Sequence, residues 1–106
     1  MTSPPQFVKK LTDSSAQEGS TFQLEATVTG NPLPVVSWFK NLNCIDESHD
    51  YVITFNNGVC VLRFEEVFLE DEADYSCKAI NDLGEDVTKA KLSVIGKIII
   101  NLVYLL

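Results

Sequence analysis

Apolar residues recur at every second position along most of this chain, a period that admits strands and gives helices no foothold. Phe22, Leu24, Ala26 and Val28 form one such row, which ends in the turn-forming run Gly30-Asn31-Pro32-Leu33-Pro34. Val36 and Trp38, with Lys40, continue it on the next segment. Cys60, Leu62 and Phe64 alternate with Val61, Arg63 and Glu65 directly after Asn56-Asn57-Gly58, a tight-turn signature. Ala73, Tyr75, Cys77 and Ala79 repeat the pattern as far as Asn81-Asp82-Leu83-Gly84, which reads as a hairpin turn, and Thr88, Ala90, Leu92 and Val94 make the last clear row. Phe7 to Leu11 and Ser14 to Gln17 read as short leading strands split by polar residues. Many short strands with turn signals roughly every ten residues predict an all-β antiparallel sandwich of two packed sheets.

The length of 106 residues fits one domain, near the size at which a single core becomes self-sufficient. A hydrophobic fraction of 45% against 22% charged residues is enough to fill that core and too much for a disordered chain. The net charge of -7, with eight scattered Lys and Arg, argues against nucleic acid and against an anionic membrane surface as partners. Three cysteines cannot all pair within one chain, and no Asn begins an N-glycosylation acceptor. The opening Met1-Thr2-Ser3-Pro4-Pro5-Gln6 has no apolar core of signal-peptide length. These features favour reduced thiols and an intracellular setting.

Trp38 lies twelve positions after Ala26, and Cys77 closes Asp71-Glu72-Ala73-Asp74-Tyr75-Ser76-Cys77, fifty-one after it. With Pro4-Pro5-Gln6-Phe7, Lys9-Lys10-Leu11, Glu18-Gly19, Val28-Thr29-Gly30-Asn31-Pro32, Trp38-Phe39-Lys40-Asn41 and Asn81-Asp82-Leu83-Gly84-Glu85, this set resembles the intermediate-set (I-set) immunoglobulin family. Within that family it is most similar to the repeats of titin-like giant sarcomeric proteins. The resemblance implies Greek-key connections and an immunoglobulin-like unit over residues 4–95, with residues 96–106 outside the pattern. It implies a structural core of Ala26, Trp38, Leu62, Tyr75 and Cys77, with Trp38 between the sheets. Tyr75 would be a tyrosine corner whose hydroxyl bonds upstream backbone, with Asp71 bracing the same turn. It also implies that Ser14 to Gln17 and the last strand pair in parallel and resist pulling in shear.

Ala26 departs from the family, which usually carries a cysteine there, so the usual inter-sheet disulfide has lost one partner. Packing must then supply the roughly 2 to 4 kcal/mol that such a bridge contributes. Cys44, Cys60 and Cys77 permit three pairings. Cys60 with Cys77 is the one to test, since both should point inward from facing sheets; buried free thiols are the favoured alternative.

Chemistry has few candidates. His49 is the sole histidine, so a metal site there would need carboxylates for most of its ligands, and a solvated loop is the expectation. Glu65, Glu66, Glu70, Asp71, Glu72 and Asp74 lack the spacing of a calcium loop and are expected to form a solvated face. No nucleophile has a base beside it in any familiar motif; neither enzymatic activity nor a metal or other cofactor is expected.

The end of the chain, Ile98 to Leu106, carries Asn101 as its one polar side chain across nine residues. It is far short of the roughly 20 residues that span a membrane. Extended, it would reach about 30 Å. It is expected either to self-associate edge-to-edge with another chain or fold along its own sheet, through Ile98, Ile99, Ile100, Leu102, Val103 and Tyr104, or to be an unstructured end.

The resemblance therefore implies a non-catalytic, force-bearing spacer and docking unit of the cytoplasmic sarcomere. Its partners would be other protein domains: neighbouring immunoglobulin repeats and sarcomeric proteins. The rival reading is an immunoglobulin module of an adhesion or receptor ectodomain.

Overall fold

A computed structural model describes residues 1–48 and 50–96; His49 and residues 97–106, which include the six apolar residues expected to self-associate, lie outside the described residues. Among the described residues nine strands follow one another: β1 (Ser3–Lys9), β2 (Ser14–Gln17), β3 (Phe22–Asn31), β4 (Val35–Lys40), β5 (Asn43–Ile45), β6 (Tyr51–Asn56), β7 (Val59–Phe64), β8 (Ala73–Asn81) and β9 (Gly84–Ile95). They form two sheets, ordered β1-β3-β7-β6 and β2-β9-β8-β4-β5. A single 3-10 turn, Leu69–Asp71, crosses from β7 to β8. The period of two places one face of each sheet inside: Leu24, Ala26 and Val28 on β3, Cys60, Leu62 and Phe64 on β7, and Tyr75, Cys77 and Ala79 on β8 are all buried.

The leading segment changes sheets. β1 pairs antiparallel with β3, whereas β2 pairs in parallel with β9 in the register Ser14↔Leu92 to Gln17↔Ile95. Three side chains hold the crossing where no ladder can serve the backbone. Phe7 N–H donates to Asp86 Oδ2 at 2.8 Å, Leu11 N–H to Thr88 Oγ1 at 3.1 Å, and Lys91 N–H to Asp13 Oδ1 at 2.8 Å.

Two differences from the sequence reading have physical causes. The first strand runs Ser3–Lys9 rather than Phe7 to Leu11, because an edge strand tolerates Pro4 and Pro5 and because Leu11 is buried at the sheet change. β5 and β6 have no counterpart in the alternation: β5 has three residues, and β6, Tyr-Val-Ile-Thr-Phe-Asn, is nearly continuous in apolar character.

Candidate functional site

Trp38 lies between the sheets with 1% of its surface exposed, facing Cys77 across the β4–β8 pair. The space left by Ala26 is filled from its own sheet: Ala26 is directly opposite Cys60 in the β3–β7 register, and both are completely buried. Cys60 therefore stands beside the position where the family carries its first cysteine, and Cys77 lies across from it. Cys44, Cys60 and Cys77 are free thiols, Cys44 on the surface. The Cys60 thiol donates to the Gly58 carbonyl at 3.6 Å. Interaction with the Cys60 sulfur, with burial behind it, pushes the Cys77 thiol well above its ordinary value. The same interaction draws Cys60 below its ordinary value while burial works against it. A thiolate at the centre is thus suppressed on Cys77, and these sulfurs pack as small apolar groups. The Trp38 indole Nε1 has no hydrogen-bond partner among the described residues.

Tyr75 lies on β8, two residues before Cys77. Its hydroxyl donates to the Asp71 carbonyl at 2.6 Å in a fully buried setting, and the Asp71 carboxylate reaches back to accept from Phe68 N–H at 2.7 Å. Phe64 packs edge-on against both Tyr75 and Tyr51, with ring centroids 5.5 and 5.4 Å away. Burial first, then the neighbouring Tyr51 and Asp71, drives the Tyr75 phenol far above its ordinary value. Tyr51 is raised for the same leading reason.

Glu65, Glu66, Glu70, Glu72 and Asp74 are exposed as expected of a solvated face, and Asp71 alone departs from it. Asp71 is buried, Glu72 Oε1 accepts Val94 N–H at 2.9 Å, and Glu65 pairs with Arg63 at 3.1 Å. Each of these acids is engaged by a different neighbour. Among the described residues no group of three or more His, Cys, Asp or Glu converges as a metal ion would need. A depression of about 520 Å³ is lined by Asp13, Asn41, Leu42, Asp74, Lys89 and Lys91, among others. No helix among the described residues is long and apolar enough to cross a membrane.

Asp13 and Asp86 were not legible as structural residues in the sequence, and Thr88 was legible only as a member of the last strand's row. They lie in ordinary polar positions, and their partners are 77 to 79 residues distant.

Two Greek-key sheets closed around a tryptophan, with a hydroxyl-pinned tyrosine two residues before a core cysteine, define the immunoglobulin-like class of sandwich. The family model for the Immunoglobulin I-set domain matches residues 5–94, and the chain belongs to that family. Telokin of Meleagris gallopavo is 41% identical over 91 residues, covering 85% of this chain and 59% of that protein. Myosin-binding protein H of Gallus gallus is 37% identical over 94 residues, covering 89% of this chain and 18% of that protein. This chain thus spans less than two thirds of either relative. Among solved structures, the titin domains z1z2 in complex with telethonin share 34% identity and a TM-score of 0.89, over 92% of this chain and 50% of that one.

Proposed function

We propose that this chain is a non-catalytic structural immunoglobulin module of a titin-like protein, a force-bearing spacer and protein-docking unit of the cytoplasmic sarcomere. The observation that carries this reading is the parallel β2–β9 pairing, Ser14↔Leu92 to Gln17↔Ile95. Tension entering ahead of β2 and leaving after β9 pulls those strands in opposite directions along their axes. Their hydrogen bonds are then loaded together rather than one after another, and the Asp13, Asp86 and Thr88 side chains at the sheet change add to the same seam. The docking half of the proposal draws support from the titin z1z2 domains, which are solved with telethonin bound. The sarcomeric setting draws support from the myosin-binding relative.

Residues 4–95 would act as the mechanical unit, with residues 96–106 as a separate appendage that self-associates. Under oxidising conditions Cys60 and Cys77 would close a disulfide between the sheets. Single-molecule pulling tests the central claim. The expected trace shows a distinct force peak that falls when Ala16→Pro removes a donor from β2. A chain that yields at no measurable force would overturn the reading. Removing 98–106 and measuring mass in solution tests the appendage: unchanged association would count against it. An adhesion-type module would instead yield oxidised cysteines from its native setting, which thiol counting reads directly.

A further inference from the structure

Among the described residues, four strands form the edges of the two sheets: β1 and β6 in one, β2 and β5 in the other. An open edge invites another strand, so edges are normally defended. β1 carries Pro4, Pro5 and Lys9, and its Phe7 N–H is held by Asp86. β2 is four residues long and polar at Ser14, Ser15 and Gln17, and β5 is three residues long. β6 has none of these defences. Tyr51-Val52-Ile53-Thr54-Phe55-Asn56 contains no charge, no proline and no glycine, and consists largely of β-branched and aromatic residues.

The turn fixes which backbone groups face outward. Asn57 and Gly58 both have positive φ, 51° and 83°, and join Asn56 to its partner Val59 in a two-residue hairpin. Alternation then directs the backbone of Asn56, Thr54 and Val52 towards β7, and that of Phe55, Ile53 and Tyr51 towards the open edge. The Tyr51 carbonyl is taken by Ser48 N–H at 3.1 Å. Ile53 and Phe55 therefore remain as the pair of residues offering both donor and acceptor, while the Thr54 side chain stands exposed between them on the outer face.

We infer that this edge pairs with the β6 edge of a second copy, antiparallel about a two-fold axis through Thr54. The segment is self-complementary in that register. Ile53 meets Phe55 of the other copy, Thr54 meets Thr54, and Val52 meets Asn56, so aliphatic lies against aromatic and hydroxyl against hydroxyl. Ile53 and Phe55 are half-buried against the core, and the pairing continues that apolar layer into the second molecule. Charge is compatible as well: Asp50, the nearest acid, falls opposite Gly58 of the other copy, so no acid faces an acid despite the net charge of -7. A four-stranded sheet becomes an eight-stranded one. The interface is small and belongs to the weak, concentration-dependent class below about 1,200 Å². The proposal is independent of the mechanical reading, and its partner surface is distinct from the chain end considered above.

Sedimentation of the full chain across a concentration series tests it, with folding of each variant checked by circular dichroism. The wild type is expected to approach dimer mass at high concentration. Thr54→Lys and Thr54→Glu, both on an exposed position, are each expected to remain monomeric, because like charges then meet on the axis. Mixing the two variants in equal amounts is expected to restore the dimer. A second measurement, amide exchange of Ile53 and Phe55, should slow with increasing concentration in the wild type. Monomeric wild type, dimeric single variants, or a mixture that stays monomeric would each overturn the inference. So would association that survives both Thr54 variants and disappears when residues 98–106 are removed, since that outcome assigns the contact to the chain end.

Discussion

The centre of the sandwich and the tyrosine corner are each built on buried side chains, yet they are held by different physics. At the centre, Ala26, Trp38, Cys60, Leu62 and Cys77 are buried and the one indole donor makes no hydrogen bond. At the corner, Tyr75, Asp71 and Phe68 are joined by two short directional bonds of 2.6 and 2.7 Å. The centre is therefore specified by volume and the corner by direction. A centre of this kind can exchange one small side chain for another, as Ala26 beside Cys60 illustrates. A corner of this kind cannot lose an oxygen without leaving its partner stranded.

The largest expected effect breaks the centre. Trp38→Ala should cost about 3 to 5 kcal/mol in denaturant unfolding, the range for removing a large buried aromatic. Trp38→Phe should cost clearly less, because the indole N–H has no partner to lose. Equal losses would show that the centre depends on more than filled space.

Tyr75→Phe should cost about 1 to 3 kcal/mol, since it strands the buried Asp71 carbonyl. Its pH dependence sharpens the contrast. The folded-state phenol is held above its ordinary value, so the folded protein binds the proton more tightly than the unfolded chain does. The corresponding stability is complete below the ordinary phenol range near ~10 and is lost as pH rises beyond it. Tyr75→Phe should flatten that alkaline limb, which unfolding curves at successive pH values would reveal.

The smallest effect lies outside both regions. Lys9 and Glu25 form an ion pair at 2.7 Å with their side chains 58% and 35% exposed. Lys9→Ala should cost no more than about 1 kcal/mol, less at high salt. A larger loss in thermal melts would show that β1 depends on its charge more than on Asp86.

Which parts were legible in the sequence follows from the same distinction. Volume leaves a period of two in the chain, so β3, β7, β8 and β9 could be read directly, as could a gap at Ala26. Direction leaves no such trace. Nothing local marks Thr88 as the acceptor for an amide 77 residues away, or Asp13 as the cap of Lys91. Tyr75 is the exception, since its bond to Asp71 spans four residues and belongs to a recognisable motif. β6 escaped for the opposite reason: a nearly continuous apolar run states burial without stating a face. That Cys60 would lie opposite Ala26 required the register of two strands, which spacing alone does not fix.

Two of the hairpin turns, those after β6 and β8, differ in one further respect. A side chain on Gly58 would meet the Val28 carbonyl at 2.5 Å, and the Gly58 carbonyl itself accepts Val28 N–H at 2.9 Å, so the turn between β6 and β7 is sealed onto β3. Asp82 and Leu83, between β8 and β9, stand exposed. For anyone using this domain as a scaffold, foreign peptides belong at Asp82-Leu83, while an insertion at Asn57-Gly58 would prise the hairpin from the neighbouring strand.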